Sequence, residues 1–208
     1  MKHFIDLENW ERKEIFEWFV KYDEPFYGVC VDIDCTKAYA KCKRENDSFF
    51  LYYLHKSLVA ANSIESFRYS IEDGKVVVYD GIHAGPTITR PNGTFGFADI
   101  RYYFDFEKFC EKANKEIERV RQTKQILPDN CPENVIHYSS VPWIKFTALS
   151  HARCYSIGDC APKISFGKLT ESNGIYSMPM SIHVHHALVD GFHVGQLIDE
   201  FQRLMNEE

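Results

Sequence analysis

The sequence predicts a mixed α/β (α+β) fold, and three observations carry that reading. Apolar residues recur at helical spacing in several segments, and alternating or β-branched runs bounded by Gly, Pro, Asp and Asn lie between them. The chain has 208 residues and 45% hydrophobic content, enough for one sizeable core. No internal repeat, low-complexity run or linker divides it, so residues 1–208 read as one domain.

Taken in order, Asn9 precedes Trp10-Glu11-Arg12-Lys13-Glu14, and Ile15, Trp18 and Phe19 then recur at helical spacing, which predicts a capped amphipathic helix. Pro25 ends it, and Gly28 to Ile33 alternates as a strand. A second helix is expected from about Asn46 to Ala61, with Phe50, Leu54 and Leu58 on one face. Phe67 to Ile71, the turn Asp73-Gly74 and the run Val76 to Tyr79 predict a hairpin. Gly81 to Gly96, rich in Gly, Pro, Thr and Asn, reads as irregular strand and loop. Asp105 can cap a third helix carrying Phe106, Phe109, Ala113, Ile117 and Val120, and Pro128 and Pro132 mark the loop after it. Strands are expected at about Trp143–Leu149, Lys163–Lys168 and Ile175–His186, the last interrupted by Pro179. A final helix opens near Gly191 with the stripe Val194, Leu197, Ile198, Phe201 and Leu204.

Composition narrows the partners. A net charge of −6 without a basic cluster argues against nucleic acid. The seven cysteines, at 30, 35, 42, 110, 131, 154 and 160, form no CxxC pair, and this predicts reduced, mostly buried thiols in a cytoplasmic protein. Met1 to Trp10 is polar rather than an apolar signal core, and no stretch approaches a membrane span.

The chemistry concentrates in His185-His186-Ala187-Leu188-Val189-Asp190-Gly191, between an apolar strand and an amphipathic helix. Imidazole takes and returns a proton near neutral pH. On a strand His183 and His185 share a face while His186 points to the other, which argues against a metal site built from the histidines between 183 and 193. Taken singly, His186 reads as a core histidine, Asp190 as a helix N-cap and Gly191 as the residue that opens the helix.

The combination says more. Met178 to Gly195 closely resembles the signature of the chloramphenicol acetyltransferase family. Its HxxxDG core also occurs in the acyltransferase domains of 2-oxoacid dehydrogenases and in condensation domains. Phe4 to Glu14 resembles the family's opening helix, and Phe67–Gly74 with Val77–Asp80 its central hairpin. Thr94-Phe95 resembles the aromatic element beyond that hairpin, Ser139 to Trp143 with Phe146 the SxxPW strand, and Ile164 to Lys168 the strand before the catalytic one. The likeness spans nearly the whole chain in order.

The resemblance implies a two-layer α/β sandwich, a mixed sheet flanked by helices on one side, that is, the CoA-dependent acyltransferase fold. It implies a homotrimer with active sites at subunit boundaries and acetyl transfer from acetyl-CoA to the hydroxyl of chloramphenicol, with no bound metal or prosthetic group. His186 matches the general base, Ser139 the oxyanion support, Asp190 and Arg12 a structural ion pair, and Ser165 the hydroxyl that positions a water. Trp18, Phe19, Tyr27, Thr87 and Phe95 match acceptor-pocket positions, although aromatics at helical spacing also read as core. Two stretches depart from the family pattern, Gly81–Thr94, which is short, and Ala148–Arg153. Both fall near the acceptor, so another small alcohol is the alternative substrate, and a catalytically silent CoA-binding trimer is a third reading.

Overall fold

Strand residues fall into two sheets in the computed structural model, which describes residues 1–128, 132–153 and 158–207. Strands β1 (Lys2–Phe4), β3 (Tyr69–Glu72) and β4 (Lys75–Tyr79) form a small antiparallel sheet in the order β1-β4-β3. The large sheet runs β2 (Phe26–Asp34), β10 (Ile175–His185), β8 (Lys163–Phe166), β7 (Val135–Ser140), β5 (His83–Thr89) and β6 (Phe95–Phe97), with β9 (Thr170–Ser172) paired to β10. The β5–β7 and β7–β8 pairs are parallel and the others antiparallel, so the sheet is mixed as the sequence predicts.

Helices α2 (Thr36–Glu45), α3 (Phe49–Ser63), α4 (Phe106–Gln122) and α5 (Gly191–Met205) pack with that sheet, and α3 touches α2, α4 and α5. The core lies between these helices and one sheet face, where Tyr138, Ile164, Met180, Ile182 and Val184 are buried with Leu54, Leu58, Phe109 and Phe201. α3 is apolar almost all round because it is buried almost all round. No helix among the described residues is long and apolar enough to cross a membrane.

Local chemistry explains where boundaries differ from expectation. Asp6, not Asn9, makes the first cap: it accepts from Glu8 N and closes a short 3₁₀ turn at Leu7–Asn9. Helix α1 (Lys13–Phe19) starts later, buries Phe16, and leaves Ile15 and Trp18 exposed. The helix expected over 46–61 is α3, which starts at Phe49 because Ser48 caps it by accepting from Leu51 N, and a further helix the sequence reading did not name, α2, precedes it and ends where Asn46 adopts the left-handed conformation. Asp105 caps α4 as expected, accepting from Lys108 N. In the hairpin, Asp73 and Gly74 both take positive φ (48° and 74°), the turn that matches the strand twist, but the first strand starts at Tyr69 and Phe67 lies in a buried 3₁₀ turn.

Three strand expectations are corrected. Trp143–Leu149 is not a strand: Pro142 and Trp143 sit in a turn closed by Ile144 N to Val141 O, and the strand is the preceding β7. The 81–96 segment is more regular than expected, since it holds β5 and β6. Pro179 does not interrupt β10. Its carbonyl accepts from Gly167 N, so its missing N–H lies on the same side, just beyond the end of β8, and no bond to β2 is lost.

Of the cysteines, Cys35 and Cys42 are buried free thiols, while Cys30, Cys110 and Cys160 are free and only partly buried. Positions 131 and 154 lie outside the described residues.

Candidate active site

Strand β10 ends in a turn whose every member has a backbone reason. Leu188 N and Val189 N both donate to His185 O, and His185 Nδ1 accepts from Ala187 N at 3.3 Å. His185 is therefore committed to closing the turn. It is buried against Phe26, and burial pushes its pKa down to about 4. His186 N donates to Pro25 O, which fixes the next residue facing the other way.

The His186 ring stacks on Phe19 with centroids 3.9 Å apart and planes 11° apart, and Tyr27 lies tilted against it at 4.7 Å. Its Nδ1 is buried without a hydrogen-bond partner, and Nε2 makes no hydrogen bond, among the described residues. Tyr27 is held protonated: burial first, then the nearby Asp190 charge, push its pKa up to about 12.

Asp190 caps α5, accepting from Phe192 N and His193 N, while His193 Nδ1 accepts from Asp190 N in return. Its second oxygen takes Arg12 Nη1 at 2.5 Å, a bond that ties the start of α1 to the start of α5. The carboxylate thus engages Arg12 and the backbone N–H groups of Phe192 and His193 rather than His186. Burial pulls its pKa upward, but the hydrogen bond from Arg12 and the charges of His193 and Arg12 outweigh this, and the net direction is down.

The other expected residues gather elsewhere. Thr87, Phe95 and Ser139 line a cavity of about 530 Å³ in the β5–β6–β7 region, together with His137, His151 and Lys163. Trp18, Phe19 and Tyr27 do not line it. Phe19 and Tyr27 belong to the His186 clamp, and Trp18 is exposed and donates to Tyr22 OH. Ser165 is fully buried, next to Ser139 in register, and its hydroxyl has no hydrogen-bond partner among the described residues. The pocket set read from the sequence is therefore split in one copy of the chain between the clamp and the cavity.

The sheet face away from the helix core is polar, which the sequence reading did not bring out. One transverse row reads Cys30, Ser181, Ser165, Ser139, and the next reads Gly28, His183, Lys163, His137, Gly85. Gly28 has to be glycine, because a Cβ there would run into the His183 ring. His151, from the divergent 148–153 stretch, packs edge-on to His183 at 4.8 Å. The signal was present as His-x-Ser, Lys-x-Ser and Ser-x-His in three separate strands, but only the register joins them. Among the described residues, no three His, Cys, Asp or Glu side chains come together as a metal site.

The fold is that of the CoA-dependent acyltransferases. A dihydrolipoamide acetyltransferase from Azotobacter vinelandii superposes with a TM-score of 0.67, covering 93% of this chain and 86% of that one at 16% identity, a likeness of fold. Residues 2–202 match the family model of chloramphenicol acetyltransferase, and the chain belongs to that family. A solved chloramphenicol acetyltransferase is 30% identical with a TM-score of 0.87, covering 99% of this chain and 100% of that one. Chloramphenicol acetyltransferases from Campylobacter coli and Klebsiella sp are 30% and 28% identical, each covering 98% of this chain and respectively 98% and 93% of the relative.

Proposed function

We propose that this protein transfers the acetyl group of acetyl-CoA to a hydroxyl of chloramphenicol, in a ternary complex and without an acyl-enzyme. His186 Nε2 takes the hydroxyl proton as the oxygen attacks the thioester carbonyl, and the imidazolium returns it to the departing CoA sulfur. Ser139 donates to the oxyanion of the tetrahedral intermediate, and Ser165 holds a water beside it. Arg12 and Asp190 hold the frame and transfer no proton. Acetyl-CoA is a co-substrate, and no bound metal or prosthetic group takes part.

One observation carries this reading: in a member of this family, the His186 ring is held by aromatic stacking, with no carboxylate and no hydrogen bond on Nε2 among the described residues. A nitrogen whose lone pair was already engaged in a hydrogen bond could not accept the hydroxyl proton.

The reading includes a homotrimer. In one copy His186 stands at the end of β10 beside edge strand β2, whereas Ser139 lines the cavity of β5, β6 and β7, an arrangement that supports a site completed by a neighbouring copy. It also places the enzyme in the cytoplasm, where its free thiols stay reduced.

Thiol release from acetyl-CoA in the presence of chloramphenicol tests the proposal, with wild type compared against His186→Ala. Turnover lost on substitution supports it. Turnover with other small alcohols but not chloramphenicol selects the alternative acceptor, which the polar sheet face favours. Acetyl-CoA binding with no turnover on any alcohol leaves a silent CoA-binding protein.

A further inference from the structure

We infer that Tyr53 and Ser57 on α3 are positioning residues for Ser139, acting through hydroxyl hydrogen bonds to its two chain neighbours, Ser140 and Tyr138. The inference rests on the reading of Ser139 as the oxyanion donor and adds the residues that hold it in place.

Ser139 sits where β7 has lost one of its two strand partners. β5 pairs with β7 from Val135 only as far as Tyr138, opposite Pro86, so Ser139 and Ser140 are paired on the β8 side alone, with Ser165 and Phe166. Just past Ser140 the chain enters the Pro142-Trp143 turn. A donor to an oxyanion has to stand about 3 Å from where the charge develops, and a misplacement of about 1 Å can cost about 100-fold in rate. A half-paired strand end does not supply that precision by itself.

Helix α3 supplies the rest. Tyr53 and Ser57 are four residues apart and share one helix face, while Tyr138 and Ser140 are two apart and share the strand face opposite to Ser139. Four helical residues rise about 6 Å and two strand residues about 6.6 Å, so both pairs can meet at once. Tyr53 Oη is hydrogen-bonded to Ser140 Oγ at 3.0 Å, and Ser57 Oγ to Tyr138 Oη at 3.1 Å. Tyr53, Ser57 and Tyr138 are buried. Both tyrosine rings also pack on Phe166, the β8 residue opposite Ser140, with centroids 4.6 and 6.3 Å away.

Packing alone does not call for hydroxyls at these four positions. Replacing both members of a buried hydrogen-bonded pair with apolar groups of similar shape is nearly neutral for stability. What the paired hydroxyls add is direction: a satisfied buried network rigidifies its surroundings and selects one arrangement. Here the two bonds limit how far α3 can slide along β7, and they do so on either side of Ser139.

Thiol release from acetyl-CoA with chloramphenicol, measured in wild-type and Ser139→Ala backgrounds, tests this. Tyr53→Phe keeps the ring on Phe166 and removes only the hydroxyl. It and Ser57→Ala are each expected to lower kcat about fivefold, the worth of one hydrogen bond, with KM for chloramphenicol within about twofold of wild type. In Ser139→Ala the same changes should lower kcat by less than about twofold, because no serine hydroxyl is left to place. A kcat within about twofold of wild type in either single variant overturns that residue's role. An equal fold loss in both backgrounds reports general loosening and overturns the inference. Tyr53→Phe/Ser140→Ala, which removes both hydroxyls of one pair, should keep the rate loss; a rate restored to wild type assigns the effect to an unpaired hydroxyl and also overturns it. Tyr53→Phe decides if Ser57→Ala does not fold.

Amide hydrogen exchange over residues 138–141 needs no turnover and separates this inference from the reading beneath it. If wild type does not acetylate chloramphenicol, or Ser139→Ala stays within about tenfold of wild type, the acetyl-transfer or oxyanion reading fails. Faster exchange of that segment in Tyr53→Phe then still supports the hold on Ser139, and unchanged exchange overturns it.

Discussion

A histidine works as a base only if its ring is fixed while one nitrogen stays free, and the neighbouring histidines of this chain show the alternatives. His185 gives its Nδ1 to the Ala187 N–H, His183 gives its own to Ser181, and His193 gives its own to Asp190 N. Burial lowers the pKa of all three. His186 is instead gripped through its ring faces by Phe19 and Tyr27. His186→Ala is therefore expected to lower kcat by about 10²–10⁴-fold, measured as thiol release at saturating acetyl-CoA. Ser139→Ala should cost on the order of 100-fold through the lost oxyanion donor. A residual rate within tenfold of wild type in either variant contradicts its role. His186 and Asp190 were legible because they lie within one short run of sequence. The row of His137, Lys163 and His183 was not, because its members come from three separate strands that only register brings together.

At the scale of elements, Asp190 performs two tasks that separate substitutions can divide. It caps α5 through backbone N–H groups, and it holds α1 through Arg12, whose side chain is 15% exposed against 29% for Asp190. Asparagine still caps, so Asp190→Asn removes mainly the ion pair. At this partial exposure it is expected to cost about 1–2 kcal/mol, less than a fully buried pair. Asp190→Ala also loses the cap and should cost about 1 kcal/mol more. The folded carboxyl titrates below its unfolded value of about 3.9, so its stabilisation is complete above that value and fades as the pH falls through the lower folded one. Chemical denaturation at pH 7 and in that acid range checks this: the gap between wild type and Asp190→Asn should narrow on acidification, and a constant gap contradicts it. The elements themselves were legible where a local signal sets them, as with Asp105 at α4 and Asp73-Gly74 in the hairpin. They were misread where pairing decides. Pro179 looked like a break until β8 proved to stop beside it, and the Pro142-Trp143 stretch looked like a strand although it turns.

At the scale of the whole molecule, the strand order separates the two halves of the proposed reaction. His186 follows β10, next to edge strand β2, whereas the Ser139 cavity takes its walls from β5, β6 and β7. An alcohol whose proton goes to His186 while its acetylation intermediate leans on Ser139 has to touch both, and the proposed symmetric trimer would supply the second group from a neighbour at each of its boundaries. This separation permits a test that needs no structure of the assembly. His186→Ala and Ser139→Ala chains, each nearly inactive alone, are co-expressed in equal amounts so that they assemble at random. If each site draws its histidine from one copy and its serine from the next, a site is intact when the first chain keeps the histidine and the second keeps the serine. That combination arises in about a quarter of sites, so the mixture should recover about a quarter of wild-type activity. If both groups of a site come from the same copy, every site in the mixture carries one defect, and activity stays at the level of the parent variants.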